Sequence, residues 1–282
     1  MTVMEVVSQV PRVSQIDHQQ FYNKHFKPKQ PVVITGMMDE WPAMKKWSFE
    51  FFSELGSSAN VYVEKGNILQ GQTDFQQAQL QDYLQALLAD DEEKGQRKTY
   101  LSLFNVFSVF PELQNDIDFS LIRAQTFKNY VFAWLGPGGT LTGYHIDWAD
   151  NILAQIHGHK RLYLVSPEQS AYMYPSSKYD YRSMLCSVDP DNYDREQYPL
   201  FSQIKPLETV LHPGEMIYIP RGWWHRVQSL EKSISVNNFG HDLAGLLYYQ
   251  PRASLEQVLH RLGLYGSECT CHMMVDGKKV AR

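Results

Sequence analysis

The residues best suited to chemistry in this sequence begin with a histidine and an aspartate two positions apart. They are His145 and Asp147 in the stretch "GYHIDWADN", which is predicted to form a strand. Side chains of a strand alternate between its two faces, so His145 and Asp147 share one face and Ile146 takes the other. If that face is buried, the carboxylate of Asp147 needs a partner to balance its charge, and a metal ion is one of the few partners that can do so. His-x-Asp pairs also arise by chance, so the surrounding sequence has to decide.

A third metal ligand is predicted well downstream, and the best candidate is His225. It lies in "GEMIYIPRGWWHRVQSL", where "IYIP" indicates a strand, "RG" a tight turn and "WWHRV" a returning strand. Two histidines and one aspartate on rigid strands form the facial triad typical of non-haem Fe(II) oxygenases, which leaves coordination positions open. Zinc also binds two histidines and a carboxylate, so these ligands alone leave the metal open.

The other histidines are expected to play no part in metal binding. His157 and His159 flank Gly158 at a predicted hairpin turn, where histidines are usually solvated. His212 and His241 are single residues at strand ends. The remaining four lie in predicted helices or in the C-terminal tail and are expected on the surface: His18, His25, His260 and His272.

The second half of the sequence has the pattern of a β-rich domain. Short segments rich in β-branched and aromatic residues follow one another from about residue 98, separated by Gly and Pro turns. They read "KTYLSLF", "YVFAWLGPGGTLTGYHID", "NILAQIHGHKRLYLVSP", "TVLHPGEMIYIP", "WWHRVQSL" and "SISVNNF". This order predicts a mainly β jelly roll, with helices gathered at the N-terminus, and not alternating βαβ units.

The predicted helices lie on both sides of these strands. Residues 14–26 and "WPAMKKWSFEFFSELG" have helical periodicity, and "QPVVITGM" between them predicts a strand that ends at Gly36. Residues 73–89 are expected to form a helix, because Thr73 and Gln76 have capping-box spacing and an apolar stripe follows. After Gly240 two further helices are predicted, "DLAGLLYYQ" and "SLEQVLHRLGL".

Composition is that of a globular protein without a bias for nucleic acids. The chain has 282 residues, 43% hydrophobic and 20% charged, with a net charge of −5, which disfavours general nucleic-acid binding. No run of residues is long and apolar enough to span a membrane, and the N-terminus lacks the pattern of a secretory signal. Three cysteines form no disulfide framework, which predicts a cytoplasmic protein, with the nucleus open for a eukaryotic source. The segment "ECTCHMM" lacks the second half of a structural zinc site.

Two blocks of the sequence resemble a known family in residue type, spacing and order. "TGYHIDWADNILAQIHGHKRLYLVSP", followed by "PGEMIYIPRGWWHRVQSL" and "SISVNNF", is similar to the JmjC-type, cupin-like oxygenases that depend on Fe(II) and 2-oxoglutarate. Within that family it most resembles the subgroup of the asparaginyl hydroxylase called factor inhibiting hypoxia-inducible factor. The likeness runs from about residue 28 to 240. It implies a double-stranded β-helix with N-terminal helices and a C-terminal helical extension.

The resemblance also implies a role for each residue that matches the family's motifs. Iron would be bound by His145, Asp147 and His225. The distal carboxylate of 2-oxoglutarate would pair with Lys160 and accept hydrogen bonds from two hydroxyl groups, and two amides would line the same pocket: Thr142, Tyr100, Asn151 and Asn237. A buried dianion does need one fixed cation and neutral donors. Other readings stay open, since Lys160 would also suit an exposed strand edge and Tyr100 an ordinary core position.

The function implied is hydroxylation of a C–H bond, with O2 consumed and succinate and CO2 released. A protein side chain is the expected substrate, because members of that subgroup act on proteins. The stretch 176–202 departs from the asparaginyl hydroxylases where they build their substrate wall, so the target residue stays open. The alternatives are N-methyl-lysine demethylation, tRNA-base hydroxylation and a non-catalytic cupin used for binding.

The chain is expected to divide into a catalytic region and a C-terminal element. Residues 1–240 would form the cupin-like domain together with its N-terminal helices, and residues 241–282 the C-terminal helices. Those helices carry more apolar residues than one short appendage needs, and relatives use this region to dimerise. A homodimer is therefore expected, with packing of the helices on their own domain as the alternative. Trp223 and Trp224 are expected to pack in the core and at its rim.

Overall fold

Two large β-sheets packed face to face form the centre of the molecule. The computed structural model describes residues 8–56, 58–65, 74–89, 99–181, 183–266, 268–270, 272–275 and 278–281. Seventeen strands lie within these ranges: β1 Ser8–Gln9, β2 Arg12–Ser14, β3 Val32–Thr35, β4 Asn60–Lys65, β5 Asp74–Gln79, β6 Thr99–Phe104, β7 Lys128–Gly136, β8 Leu141–Asp147, β9 Asp150–His157, β10 Lys160–Val165, β11 Ser183–Leu185, β12 Leu207–Leu211, β13 Glu215–Ile219, β14 Trp224–Ser229, β15 Ser233–His241, β16 His272–Val275 and β17 Lys278–Ala281.

The strand order is that of a double-stranded β-helix. One sheet has the order β1-β12-β10-β14-β8-β11 and the other β2-β3-β13-β9-β15-β7-β6-β4-β5. From β7 to β10 successive strands alternate between the two sheets, and from β12 to β15 they alternate again. The predicted jelly roll is confirmed. The strands β16 and β17 form a separate hairpin.

Helices and less regular turns surround the sheets. The α-helices are α1 His18–Phe21, α2 Ala43–Lys46, α3 Phe49–Leu55, α4 Leu80–Leu88, α5 Val106–Val109, α6 Ser120–Arg123 and α7 Gln250–Arg261. Two π-helical segments cover Tyr22–Phe26 and Gly245–Tyr249, and 3-10 turns cover Pro111–Asp116, Pro167–Tyr172 and Pro199–Gln203. None of the described helices is long and apolar enough to cross a membrane.

Strand β9 explains how the layers are held together. Its residues from Asp150 to Ile156 are all buried, because one face meets the opposite sheet and the other meets the N-terminal helices. Leu153 packs between the sheets with Leu162 and Ile217. Ile152 belongs to the cluster on the outer face, together with Phe52 of α3.

The insert between β10 and β12 covers the outer face of the six-stranded sheet. Tyr144 and Ile146 of β8 point into this insert and pack against Phe201 and Trp224. The residues that alternate with them, His145 and Asp147, therefore face the inside of the barrel, as the alternation of a strand requires.

The expected helix over residues 73–89 is only half correct. Residues 74–79 form β5, which pairs antiparallel with β4, and helix α4 begins at Leu80. Val61 and Val63 of β4 lie opposite Ala78 and Gln76, so pairing with a β-branched neighbour overrides the helical preference of the glutamines. Gln76 therefore caps no helix, and Thr73 lies outside the described residues.

The helix predicted over residues 14–26 begins later than expected. Ser14 belongs to β2, and Asp17 caps α1 by accepting a hydrogen bond from the backbone N–H of Gln20. The helix continues as the π-helical segment Tyr22–Phe26. The strand predicted before Gly36 is present as β3, and Gly36 has φ +76°, which glycine adopts without strain.

The two helices expected after Gly240 form one unbroken helical run from residue 243 to 261. Residues 251–253, where the break was expected, are helical, and a π-helical segment, Gly245–Tyr249, lies just before them. Pro251 explains it, because proline has no N–H to donate and its ring crowds the preceding turn, which a wider turn relieves.

Two histidines expected on the surface are buried. His25 lies in the first π-helical segment, and burial lowers the pKa of its imidazole. His260 lies on the buried face of α7, where its ring centroid is 4.4 Å from that of Tyr179 and its Nδ1 is 2.8 Å from the carbonyl oxygen of Tyr265. Part of this helix thus packs back on its own domain. His18 is exposed, and the side chain of His272 lies outside the described residues.

Candidate metal centre

Three residues on two neighbouring strands bring their ligand atoms together inside the barrel. His145 and Asp147 lie on β8, and His225 lies directly opposite His145 on β14. The ligand atoms of the three side chains all lie within 4.8 Å of one another. Of the residues that the structure describes, only these form such a group of three. The arrangement has the composition of the predicted facial triad.

Backbone carbonyl groups set the direction of both imidazole rings. Nδ1 of His145 lies 2.9 Å from the carbonyl oxygen of Gly143, and Nδ1 of His225 lies 3.0 Å from that of Trp223. These contacts suit Nδ1–H donors, so each Nε2 is left for a metal. Metal-binding histidines are commonly oriented in this way. Nε2 of His225 lies 3.5 Å from Oδ2 of Asp147, which is close enough for both atoms to bind one ion.

The protonation states of the site favour metal binding. Burial lowers the pKa of His145 to about 4, with a further contribution from the neighbouring His225. Burial acts to raise the pKa of Asp147, but the hydrogen bond from His225 and the two nearby imidazoles outweigh it, and the net pKa lies below its usual value. At neutral pH the site therefore offers a neutral His145 and an ionised Asp147, as a divalent ion requires. The side chain of Asp147 keeps 19% of its surface exposed, so the centre remains accessible.

A buried lysine lies on the same interior face as the triad. Lys160 is 1% exposed, and the pairing of β10 with β14 puts it in line with Leu164, which lies opposite His225. Its ammonium group donates hydrogen bonds to the hydroxyl of Tyr100 at 3.0 Å and to that of Ser235 at 2.6 Å. Within the described residues no carboxylate forms an ion pair with it, and burial lowers the pKa of Lys160 to about 7. A buried cation with hydroxyl neighbours fits an acidic ligand such as 2-oxoglutarate.

A bulge in β8 brings Thr142 to the interior. His145 lies opposite His225, but Thr142 lies opposite Val227, so β8 contains one residue more than β14 between these pairs. His145 follows Thr142 by three positions, so in a regular strand the two side chains would point to opposite faces. Because of the bulge Thr142 shares a face with Val227 and His225. This places its hydroxyl on the side predicted by the resemblance.

The two predicted amides meet on the inner face of the nine-stranded sheet. Nδ2 of Asn237 donates a hydrogen bond to Oδ1 of Asn151 at 3.0 Å, and both residues are buried. Oδ1 of Asn237 has no hydrogen-bond partner among the residues that the structure describes. Asn238 points to the outer face instead, where it accepts a hydrogen bond from Arg123. Asn237, and not Asn238, therefore shares the inner face with Asn151.

Two residues near the pocket were not predicted. Ser235 contacts Lys160 and lies two positions before Asn237, so strand alternation alone was enough to find it. Trp134 lies opposite Ser235, and its buried Nε1–H has no hydrogen-bond partner in the described part of the chain. No sequence pattern distinguishes Trp134 from a core tryptophan.

The remaining histidines lie apart from the triad, as expected. His159 contacts the carboxylate of Glu231 and its ring meets that of His212 at 4.8 Å. His241 is buried and its Nε2 lies 2.7 Å from Nε2 of Gln250. Trp223 and Trp224 are both buried, in the core between the sheets and under the insert, respectively.

Comparison with known proteins identifies the family. A family model described as a cupin-like domain matches residues 18–242. Lysine-specific demethylase 8 of Xenopus tropicalis is 31% identical over 245 residues, covering 83% of this chain and 53% of the relative. The chain belongs to the JmjC-type, cupin-like family of Fe(II)- and 2-oxoglutarate-dependent oxygenases, and this part of the sequence prediction is confirmed. The finer likeness to the asparaginyl hydroxylase subgroup stays a prediction.

Other relatives carry different names. Lysine-specific demethylase JMJ30 of Arabidopsis thaliana is 33% identical over 225 residues, covering 77% of this chain and 51% of the relative. tRNA wybutosine-synthesizing protein 5 of Homo sapiens is 28% identical over 260 residues, covering 85% of this chain and 80% of the relative. The chain thus spans about half the length of the demethylase relatives and about four fifths of the wybutosine-synthesizing protein.

Proposed function

We propose that the protein is an Fe(II)- and 2-oxoglutarate-dependent oxygenase that hydroxylates a C–H bond of a protein side chain. The reaction would consume O2 and release succinate and CO2. The observation that carries this proposal is the combination of the His145, Asp147 and His225 cluster with the buried ammonium of Lys160 on the same face. A metal-binding cupin without catalysis has no need for a buried cation beside its metal.

Each group has a defined task in this proposal. The triad holds the iron by two imidazole nitrogens and one carboxylate oxygen and leaves positions open. Lys160 neutralises the distal carboxylate of 2-oxoglutarate, while hydroxyl and amide groups provide neutral hydrogen bonds: Tyr100, Thr142, Asn151 and Asn237. When bound, iron and 2-oxoglutarate supply the activation of O2 that no protein side chain provides. The protein orients these groups and excludes water from them.

A cavity whose lining includes Ser183, opposite Asp147 on the neighbouring strand, supports a protein substrate. It has a volume of about 290 Å³ and lies between residues 176–184 and the C-terminal helix. Trp148, which follows Asp147, forms one wall, and Met184 lies opposite Ile146 on the neighbouring strand. The cavity is lined by both cationic and anionic side chains, among them Lys178, Asp180, Arg252 and Glu256. Such a mixed lining suits a polypeptide better than the uniform negative charge of a nucleic acid.

Two related activities are the alternatives. The match to tRNA wybutosine-synthesizing protein 5 over 80% of its length makes a tRNA base the second candidate substrate. The match to lysine-specific demethylase 8 supports an N-methyl-lysine in the same position. The net charge of −5 does not favour the binding of a nucleic acid such as tRNA.

We also propose a homodimer formed through the C-terminal helix, acting in the cytoplasm. Apolar side chains on this helix stay exposed although His260 packs inward, among them Leu255 and Leu262, which are 61% and 66% exposed. Such a stripe is typical of a protein interface. The cytoplasmic location rests on the composition, which contains three cysteines.

The first experiment is the turnover of 2-oxoglutarate to succinate with added Fe(II). Wild-type protein is expected to form succinate slowly without substrate, His145→Ala to form none, and His212→Ala to match the wild type, because His212 lies outside the triad. Addition of a peptide library, N-methyl-lysine peptides or tRNA then identifies the class that raises the rate. Absence of turnover together with absence of anaerobic Fe(II) binding would leave a binding protein and refute the proposal.

A further inference from the structure

A fully buried carboxylate lies next to the metal centre without belonging to it. Asp150 is the first residue of β9, three positions after Asp147, and has no exposed surface. It accepts hydrogen bonds from the ammonium of Lys29 at 2.7 and 2.9 Å and from the hydroxyl of Tyr218 at 2.7 Å. A buried carboxylate with this many donors is costly to replace, since its removal leaves Lys29 and Arg221 to share the single carboxylate of Asp242.

The same carboxylate holds the turn that leads to the third metal ligand. The backbone N–H of Arg221 donates to Oδ1 of Asp150 at 3.2 Å. The next residue, Gly222, donates its backbone N–H to the carbonyl oxygen of Asp147 at 3.1 Å. The turn before His225 is thus attached at two successive residues to the chain segment that carries Asp147. Gly222 has φ +84°, so this turn depends on glycine.

The side chain of Arg221 extends the connection to the C-terminal helix. Its two terminal nitrogens donate to the carboxylate of Asp242 at 2.8 and 3.3 Å. Asp242 in turn accepts a hydrogen bond from the backbone N–H of Gly245 at the start of the π-helical segment. The guanidinium of Arg221 also lies 4.6 Å from the ring centroid of Tyr249. Lys29, Asp150, Arg221 and Asp242 therefore form one neutral group of four charges.

We propose that Asp150 is a positioning residue for the metal centre, which it serves by fixing the turn that carries His225 relative to Asp147. This inference rests on the proposed function only in assuming that the triad binds a divalent metal. His225 is the one ligand contributed by a different strand, so its distance from the other two depends on contacts outside the triad. Losing such outer contacts typically weakens metal binding about 10- to 100-fold.

The test is the affinity of the metal-free protein for Mn(II), measured from the loss of the EPR signal of free Mn(II). Asp150→Asn is expected to weaken binding by about 10- to 100-fold. The matched control is Asp116→Asn, because Asp116 is also a buried carboxylate held by a lysine, Lys46 at 2.7 Å, and by Nε1 of Trp47 at 3.0 Å. Both variants are expected to lower the melting temperature, but the control should bind Mn(II) like the wild type.

A milder variant covers the case in which Asp150→Asn does not fold. Tyr218→Phe removes one donor to Asp150 and keeps the ring that packs on Phe21. It is expected to weaken Mn(II) binding measurably, by up to about tenfold, in line with one hydrogen bond. Wild-type affinity in both Asp150→Asn and Tyr218→Phe would overturn the positioning role and leave the proposed function intact. A wild-type protein that bound no Mn(II) would refute the metal centre itself, and the positioning role with it.

Discussion

The ammonium of Lys160 lies 2.6 Å from the hydroxyl oxygen of Ser235, deep between the two sheets. Hydroxyl groups are its hydrogen-bond partners, and among the described residues none supplies a compensating negative charge. A cation in such a place destabilises the folded protein unless a ligand neutralises it. In the proposed function, the pair therefore marks the end of the pocket where the distal carboxylate of 2-oxoglutarate would bind.

The first prediction concerns the pH dependence of 2-oxoglutarate binding. Burial lowers the pKa of Lys160 to about 7, and a bound dianion would raise it again by favouring the ammonium. Above pH 7 the free protein has to take up a proton on binding, so the affinity is expected to fall by up to about tenfold per pH unit. Calorimetric titration of the Mn(II)-loaded protein between pH 6 and 9 measures this, with the fall beginning near pH 7.

Replacement of the lysine provides the control for this pH effect. Lys160→Met is expected to weaken binding by about 10- to 100-fold at pH 7, equivalent to one charge-assisted hydrogen bond, and to remove the pH dependence. Lys46→Met should change neither, because Lys46 pairs with Asp116 away from the pocket. An unchanged pH profile in Lys160→Met would assign the dependence to another group.

The second prediction tests Ser235, which was not among the predicted site residues. Ser235→Ala removes a neutral partner of Lys160 and leaves its charge in place, so binding of 2-oxoglutarate is expected to weaken by about three- to tenfold. Ser53→Ala serves as the control, since Ser53 is also buried but lies in α3. Equal affinity in Ser235→Ala and wild type would show that the ligand alone fixes the position of the ammonium.

Much of the fold followed from strand alternation and turn residues. The segments from β6 to β15, apart from the short β11, carry β-branched and aromatic residues between Gly and Pro turns, and their boundaries agree with the prediction within a few residues. The sequence of β5 does not contain this signal, since its glutamines suit a helix and only β4 makes it a strand. Long-range pairing is not encoded in the local pattern, whereas the π-helical segment Gly245–Tyr249 follows from a local feature, Pro251.

The metal ligands were predictable to different degrees. His145 and Asp147 share a face because they lie two apart in one strand, whereas His225 required the order of strands in the fold. Thr142 contradicts simple alternation, and only the bulge opposite Val227 turns it inward. A bulge depends on the register between two strands, so one strand's sequence cannot predict it.

The third prediction follows from this bulge. Thr142→Val keeps the shape of the side chain but removes its hydroxyl, so 2-oxoglutarate binding is expected to weaken by about three- to tenfold, the effect of one hydrogen bond. Thr209→Val is the control, because the hydroxyl of Thr209 contacts Arg12 on another strand. A loss of Mn(II) affinity in Thr142→Val would instead indicate that the bulge itself, and with it His145, had moved.

The fourth prediction concerns the surface of the C-terminal helix. Leu255, Val258 and Leu262 follow one another at helical spacing and are between 53% and 66% exposed, so they form an apolar stripe that a second copy of the chain would cover. Light scattering is expected to give twice the 32.7 kDa of one chain, and Leu255→Glu to give a monomer, because a charge in the centre of an apolar interface has no partner. Leu200→Glu introduces the same charge at a residue that is 39% exposed outside this stripe, and it should leave the dimer intact. A wild-type monomer at micromolar concentration would refute the dimer, and a dimer that survives Leu255→Glu would place the interface elsewhere.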